Sequence, residues 1–125
     1  MKQRHIRPSD SLSDETEVVV RGGDLDSDIV VQDARRMFEV YGLYGISVLA
    51  LRGATIDELA QAAPLVRFAH LALVTVGAIR AAGLDLEPTG RNPRHYTVVL
   101  PDLEDSVDRL CACERRLWPN PYHEE

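Results

Sequence analysis

Short β-branched segments alternate with segments of helical period along the whole chain. Glu17–Arg21 carries three consecutive valines and stops at Gly22-Gly23, as a buried strand does. Val30, Ala34, Met37, Phe38 and Tyr41 then recur at helical spacing. Three acids at Asp24–Asp28 suit the start of that helix, and Gly42 suits its end. Tyr44–Leu51 returns to period two, with Ile46, Val48 and Ala50 on one face and Gly45, Ser47 and Leu49 on the other. The next helix opens on Thr55-Ile-Asp-Glu58, a capping box in which Thr55 and Glu58 satisfy each other's backbone amides. It runs to about Ala63, where Pro64 breaks the chain.

Two readings fit Leu65–Ala82. One is a strand through Leu71, Leu73 and Thr75 followed by a short helix that Gly83 closes. The other is one long helix with Arg67, His70, Gly77 and Arg80 near a polar stripe. The β-branched cluster Val74–Val76 favours the strand, which is adopted. Leu84–Leu86 reads as a short strand and Pro88–Pro93 as a loop. His95–Leu100 reads as a strand with Tyr96, Val98 and Leu100 on one face. Leu103, Val107, Leu110, Cys111 and Leu117 read as a last amphipathic helix. The expected fold is α+β, a compact mixed β-sheet with helices packed on it. The expected organisation is a flexible N-terminal segment over 1–14, one domain over 15–118, and a C-terminal tail over 119–125. The aromatics Trp118 and Tyr122 should dock on the body.

Composition enters where function is at issue. With 125 residues there is room for one domain. Fourteen basic against 20 acidic residues give a net charge of −6, which argues against a broad nucleic-acid-coating surface. The charge is uneven. Residues 59–101 carry Arg67, Arg80, Arg91 and Arg94 against Asp85 and Glu87, while both flanks are acidic. A local anion site in the middle of the chain is compatible with the acidic total. No apolar leader or membrane-length apolar run is present, so a cytoplasmic protein with no membrane role is expected. Cys111 and Cys113 are too close in sequence to share a metal from one helix face, and no metal site is expected.

The candidate chemistry lies in three places. Arg91-Asn-Pro-Arg-His-Tyr96 puts two guanidiniums, an imidazole and a phenol at the mouth of a strand. Arg94, His95 and Tyr96 are the candidate catalytic residues, with Arg91 as a phosphate contact. Arg21, before two glycines, can point into a cleft. Tyr44 and Ser47 sit where glycines permit close approach of a ligand, and with Arg21 they complete a candidate substrate-binding set. Ser47 lacks the context of a hydrolase nucleophile elbow.

Arg21 at a strand end, followed by a helix and then Ser47 on a second strand, resembles the opening of ADP-ribosyltransferase domains. That resemblance implies an arginine and a serine holding NAD as cofactor. Arg94-His95-Tyr96 resembles the basic and aromatic constellation of small ribosome-dependent RNase toxins. Both imply a small bacterial effector or toxin-like enzyme acting on a nucleotide or RNA, with a cognate antitoxin as partner in a toxin–antitoxin or phage-defence module. The alternative is a non-catalytic adaptor that forms a complex with a partner protein through the Trp118–Tyr122 tail.

Overall fold

The computed structural model describes residues 2–8, 11–62 and 65–123. Six strands form one sheet: β1 (Glu17–Gly22), β2 (Gly45–Ala50), β3 (His70–Thr75), β4 (Asp85–Pro88), β5 (His95–Val99) and β6 (Arg116–Pro119). Four helices join them: α1 (Ser27–Tyr41), α2 (Ile56–Ala60), α3 (Val76–Ala81) and α4 (Leu103–Cys111), with a 3-10 turn at Leu65–Arg67. The strand order is β4-β5-β2-β1-β3-β6.

The α+β class stands. Within it, every pairing is antiparallel, where a mixed sheet was expected. The course of α1 supplies the reason. Asp24, before its start, pairs with Arg115 beside β6, and Val40, near its end, accepts a bond from the Lys2 amide on the β4 side. At about 1.5 Å per residue the helix is about 22 Å long, close to the width of five strand spacings. Lying across the strands, it returns the chain to the end of the sheet it left, so β2 runs antiparallel to β1.

Local chemistry explains the helix ends. The Asp26 side chain accepts from the amides of Asp28 and Ile29, and Gly42 closes α1 with its amide on the Phe38 carbonyl. The Thr55–Glu58 capping box forms as expected. The helix it starts ends at Ala60. Ala63 and Pro64, the expected end and breaker, lie outside the described residues.

Leu65–Ala82 resolves into the 3-10 turn, β3 and α3, in line with the strand reading. Leu117 is not in the last helix. It belongs to β6, which pairs with β3 through His70–Pro119 and Leu71–Trp118. An edge strand is bonded on one side only, so it tolerates Pro119.

The sheet is covered unevenly. On its first face, Val18, Val48, Val74, Tyr96 and Val98 pack under α1, α3 and α4, which contribute Val30, Ile79 and Leu110. Each such side chain contributes about 1.5–3 kcal/mol on burial. On the second face, Val19, Leu71 and Leu73 are covered by α2, Leu65, Phe68, Trp118 and Tyr122. Trp118 and Tyr122 therefore dock on the body. Asn120 between them is buried and donates to the carbonyls of Ala60 and Leu65. Glu124 and Glu125, the last of the expected tail, lie outside the described residues.

The second face toward β4 carries polar groups instead, and the candidate site lies there. Residues 2–8 run along the β4 edge. Ile6 bridges to Thr89, and the Arg7 amide donates to the Pro88 carbonyl. Paired this way, the Pro88–Gly90 end of the edge is covered. No helix among the described residues is long and apolar enough to cross a membrane.

Candidate functional site

The site begins with an irregularity in β1. Its register against β3 shifts between Val19 and Arg21, leaving Val20 as an extra residue. A bulge of this kind bends its strand and increases the local twist. On the other side of β1, pairing with β2 covers Val18–Ala50 and Val19–Leu49. Past Val19 the two strands part. The opening is lined by Val20, Arg21, Asp33 and Ser47 and is reached from both faces of the sheet.

The pleat decides what faces this opening. The Ala50 amide donates to the Arg94 carbonyl, and the Tyr44 carbonyl accepts from the Leu100 amide. Even-numbered residues of β2 thus turn their backbone groups to β5, and odd-numbered ones turn theirs to β1. Leu49 meets Val19, whereas the backbone groups of Ser47 and Gly45 are directed at the opening. A backbone N–H aimed into a cleft is an anion donor.

On the second face the opening widens into a cleft of about 430 Å³. Ser47, Asn92 and His95 supply its polar lining on this face, Arg21 and Asp33 line it where it opens toward α1, and Leu49 and Phe68 are its apolar walls. Ser47 stands opposite Thr97 in the β2–β5 ladder, and His95 is its diagonal neighbour on the same face. A second hollow of about 250 Å³ adjoins it, shares Ser47 and His95, and adds His5, Tyr41, Thr89 and Thr97.

The Arg21 side chain is 17% exposed. Its Nε donates to the Gly22 carbonyl at 2.9 Å, and its Nη1 lies 3.4 Å from Asp33 Oδ2. Asp33 on α1 also takes Arg36 at 3.6 Å. Its partner is therefore on α1, not among the acids that follow β1. The Asp33 contact is long, and a ligand anion able to approach more closely competes with it.

His95 is oriented by Thr89. Its Nδ1 lies 3.0 Å from the Thr89 carbonyl oxygen, which only accepts, so Nδ1 carries the proton in this bond. In the neutral ring Nε2 is then the basic nitrogen. The Thr89 hydroxyl is also 3.0 Å from Nδ1 and 2.7 Å from the Thr97 hydroxyl. This row of hydroxyls fixes the ring and leaves Nε2 for other work.

Of the candidate residues, Arg21, Ser47 and His95 meet in one cleft. The others do not join them. Neighbours on a strand point to opposite faces, so Tyr96 lies on the first face, buried opposite Val48. Its hydroxyl accepts from Arg52 Nη1 at 2.9 Å, and the Arg7 guanidinium stands 5.1 Å from its ring centre. Arg94 clamps the loop after β2, donating to the carbonyls of Arg52 and Gly53 at 3.1 Å each. Arg91 is exposed on the loop between β4 and β5. Tyr44 stacks on Phe38 with ring centres 4.5 Å apart.

Comparison with family models, curated proteins and solved structures finds no match. The reading of the site therefore rests on its own geometry.

That geometry includes residues the sequence reading did not single out. Asp33 comes from α1, where helical period alone accounted for its neighbourhood. Thr89 and Thr97 flank His95, and the short spacing of threonines about a histidine is the signal that could have drawn notice. His5 was set aside with the N-terminal segment. The cysteines stand apart from the site. Burial pushes the Cys111 and Cys113 thiols up, which keeps them protonated and poorly nucleophilic. Among the described residues, no group of three or more His, Cys, Asp or Glu side chains is placed to hold a metal ion.

Proposed function

We propose that the chain is a small enzyme acting on a nucleotide or RNA. Its phosphate is held between the Arg21 guanidinium and the Ser47 amide, and His95 serves as general acid–base. The observation that carries this reading is the meeting of Arg21, Ser47 and a Thr89-oriented His95 in one cleft. Arginine offers phosphate a planar fork of donors. A backbone amide adds a donor that needs no reorganisation. A histidine whose Nδ1 is already bonded presents Nε2 as a base of fixed direction.

The acidic total charge is no obstacle. Arg4, Arg21 and Arg36 line the joined hollows, with Asp33 as the opposing acid. A bacterial effector or toxin-like role follows as a further part of the proposal, with growth arrest on expression as its sign. Arg94 and Arg91 are not assigned to phosphate in this reading, and Tyr96 is assigned a packing role.

Calorimetric titration of uridine 3′-phosphate and NAD into the chain tests the reading. The Arg21→Gln variant is expected to bind uridine 3′-phosphate about 10- to 100-fold more weakly, the effect of losing hydrogen bonds to a charged group. Equal affinity in wild type and variant, or no binding of either ligand, refutes it. NAD binding without uridine 3′-phosphate binding would favour the ADP-ribosyltransferase likeness.

A further inference from the structure

Two histidines line the hollow beside Ser47, and they come from distant parts of the chain. His95 is on β5. His5 belongs to the segment that runs along β4. Gly90 joins them: its amide donates to the His5 carbonyl at 2.8 Å, and a Cβ built on Gly90 would stand 3.5 Å from His95 Nδ1. The His5 backbone is thus one residue away from the His95 ring. Gly90 has φ +74°, which glycine adopts without strain.

The segment is held in register. Arg4 pairs with Glu87, and Arg7 donates to the carbonyls of Thr89 and Asn92. Ser47, Thr89 and Thr97 line the same hollow.

We propose that His5 is the second acid–base group of this site, and that the substrate is a phosphodiester carrying its own neighbouring hydroxyl, as RNA does. The proposal rests on the phosphate-directed reading of the cleft. His95 Nε2 takes the proton from the 2′-hydroxyl. The freed electron pair of that oxygen forms the bond to phosphorus. The bond from phosphorus to the 5′-oxygen breaks, and the His5 imidazolium gives its proton to that leaving oxygen. The products are a 2′,3′-cyclic phosphate and a 5′-hydroxyl. No co-reactant is consumed, and proton exchange with solvent resets the two rings. One base and one acid on opposite sides of phosphorus are what this transfer needs.

Arg4, paired with Glu87, and Tyr41 also line this hollow, and Arg21 and Asp33 line the adjoining cleft.

The test compares two substrates on the full chain: the dinucleotide UpA, whose leaving alkoxide needs a proton, and uridine 3′-(4-nitrophenyl phosphate), whose leaving group does not. His95→Ala should slow both by about 100-fold or more. His5→Ala should slow UpA by about 100-fold and slow the nitrophenyl ester far less. The 2′-deoxy dinucleotide should not be cleaved. Equal slowing of both substrates by His5→Ala, no slowing of UpA, or cleavage of the deoxy analogue overturns the proposal. If wild type cleaves neither ester while Arg21→Gln still weakens uridine 3′-phosphate binding, this proposal falls and the phosphate cleft stands.

Discussion

The second face of the sheet has two halves built on neighbouring strands, and they meet opposite fates. Around β1 and β3, Val19, Leu71 and Leu73 are apolar and have drawn α2, Leu65, Phe68 and Trp118 over them. Around β2 and β5, Ser47, His95 and Thr97 are polar and border an open cleft. Alternate side chains point to this face in both halves, up to the bulge in β1. What differs is the residue at alternate positions: apolar ones gain by leaving water, and polar ones lose by it unless they find partners. The cleft lies where that exchange of chemistry coincides with the parting of β1 and β2.

The comparison can be broken first on its apolar side. Leu71→Ala removes a fully buried side chain and is expected to cost about 2–5 kcal/mol in urea unfolding. If the cost is below about 0.5 kcal/mol, the range of an ordinary surface substitution, the closed half is not packed as described. A smaller loss is expected for Asn120→Ala, about 1–3 kcal/mol, because the carbonyls of Ala60 and Leu65 lose their donor. The polar half behaves the other way. Ser47→Ala should leave the unfolding midpoint nearly unmoved, since the Ser47 side chain is exposed. A large loss would mean that this half, too, is structural.

The smallest effect lies outside both halves. The Leu25 amide and then Arg115 hold the Asp24 carboxyl below its ordinary value. A depressed acid stabilises the fold above the ordinary aspartate range and loses that contribution as pH falls through its folded value. Asp24→Asn should therefore narrow the difference in melting temperature between neutral and strongly acidic buffer. An unchanged acid dependence contradicts the pairing.

Much of the fold was legible because local chemistry decided it. The valines of β1, the acids and Gly42 around α1, and the capping box of α2 each act through their immediate neighbours. β6 was not legible, because Leu117-Trp-Pro has no alternation and its strand character comes from β3. Nor was the strand order, since the sideways course of α1 is a tertiary fact. In the site, Arg21, Ser47 and His95 were legible by residue type. Grouping Arg94 and Tyr96 with His95 treated sequence neighbours as spatial ones, although the pleat sends Tyr96 to the other face. Asp33 and His5 become neighbours of the cleft only through packing.

The central claim is that Arg21, Ser47 and His95 bind one anion. An NMR titration with uridine 3′-phosphate, following backbone amides and the histidine ring nitrogens, tests it most directly. Saturable shifts of the Ser47 amide and His95 Nε2, lost in Arg21→Gln, are the predicted result. Shifts centred on Arg91 and Arg94, with Ser47 and His95 unmoved, would contradict it.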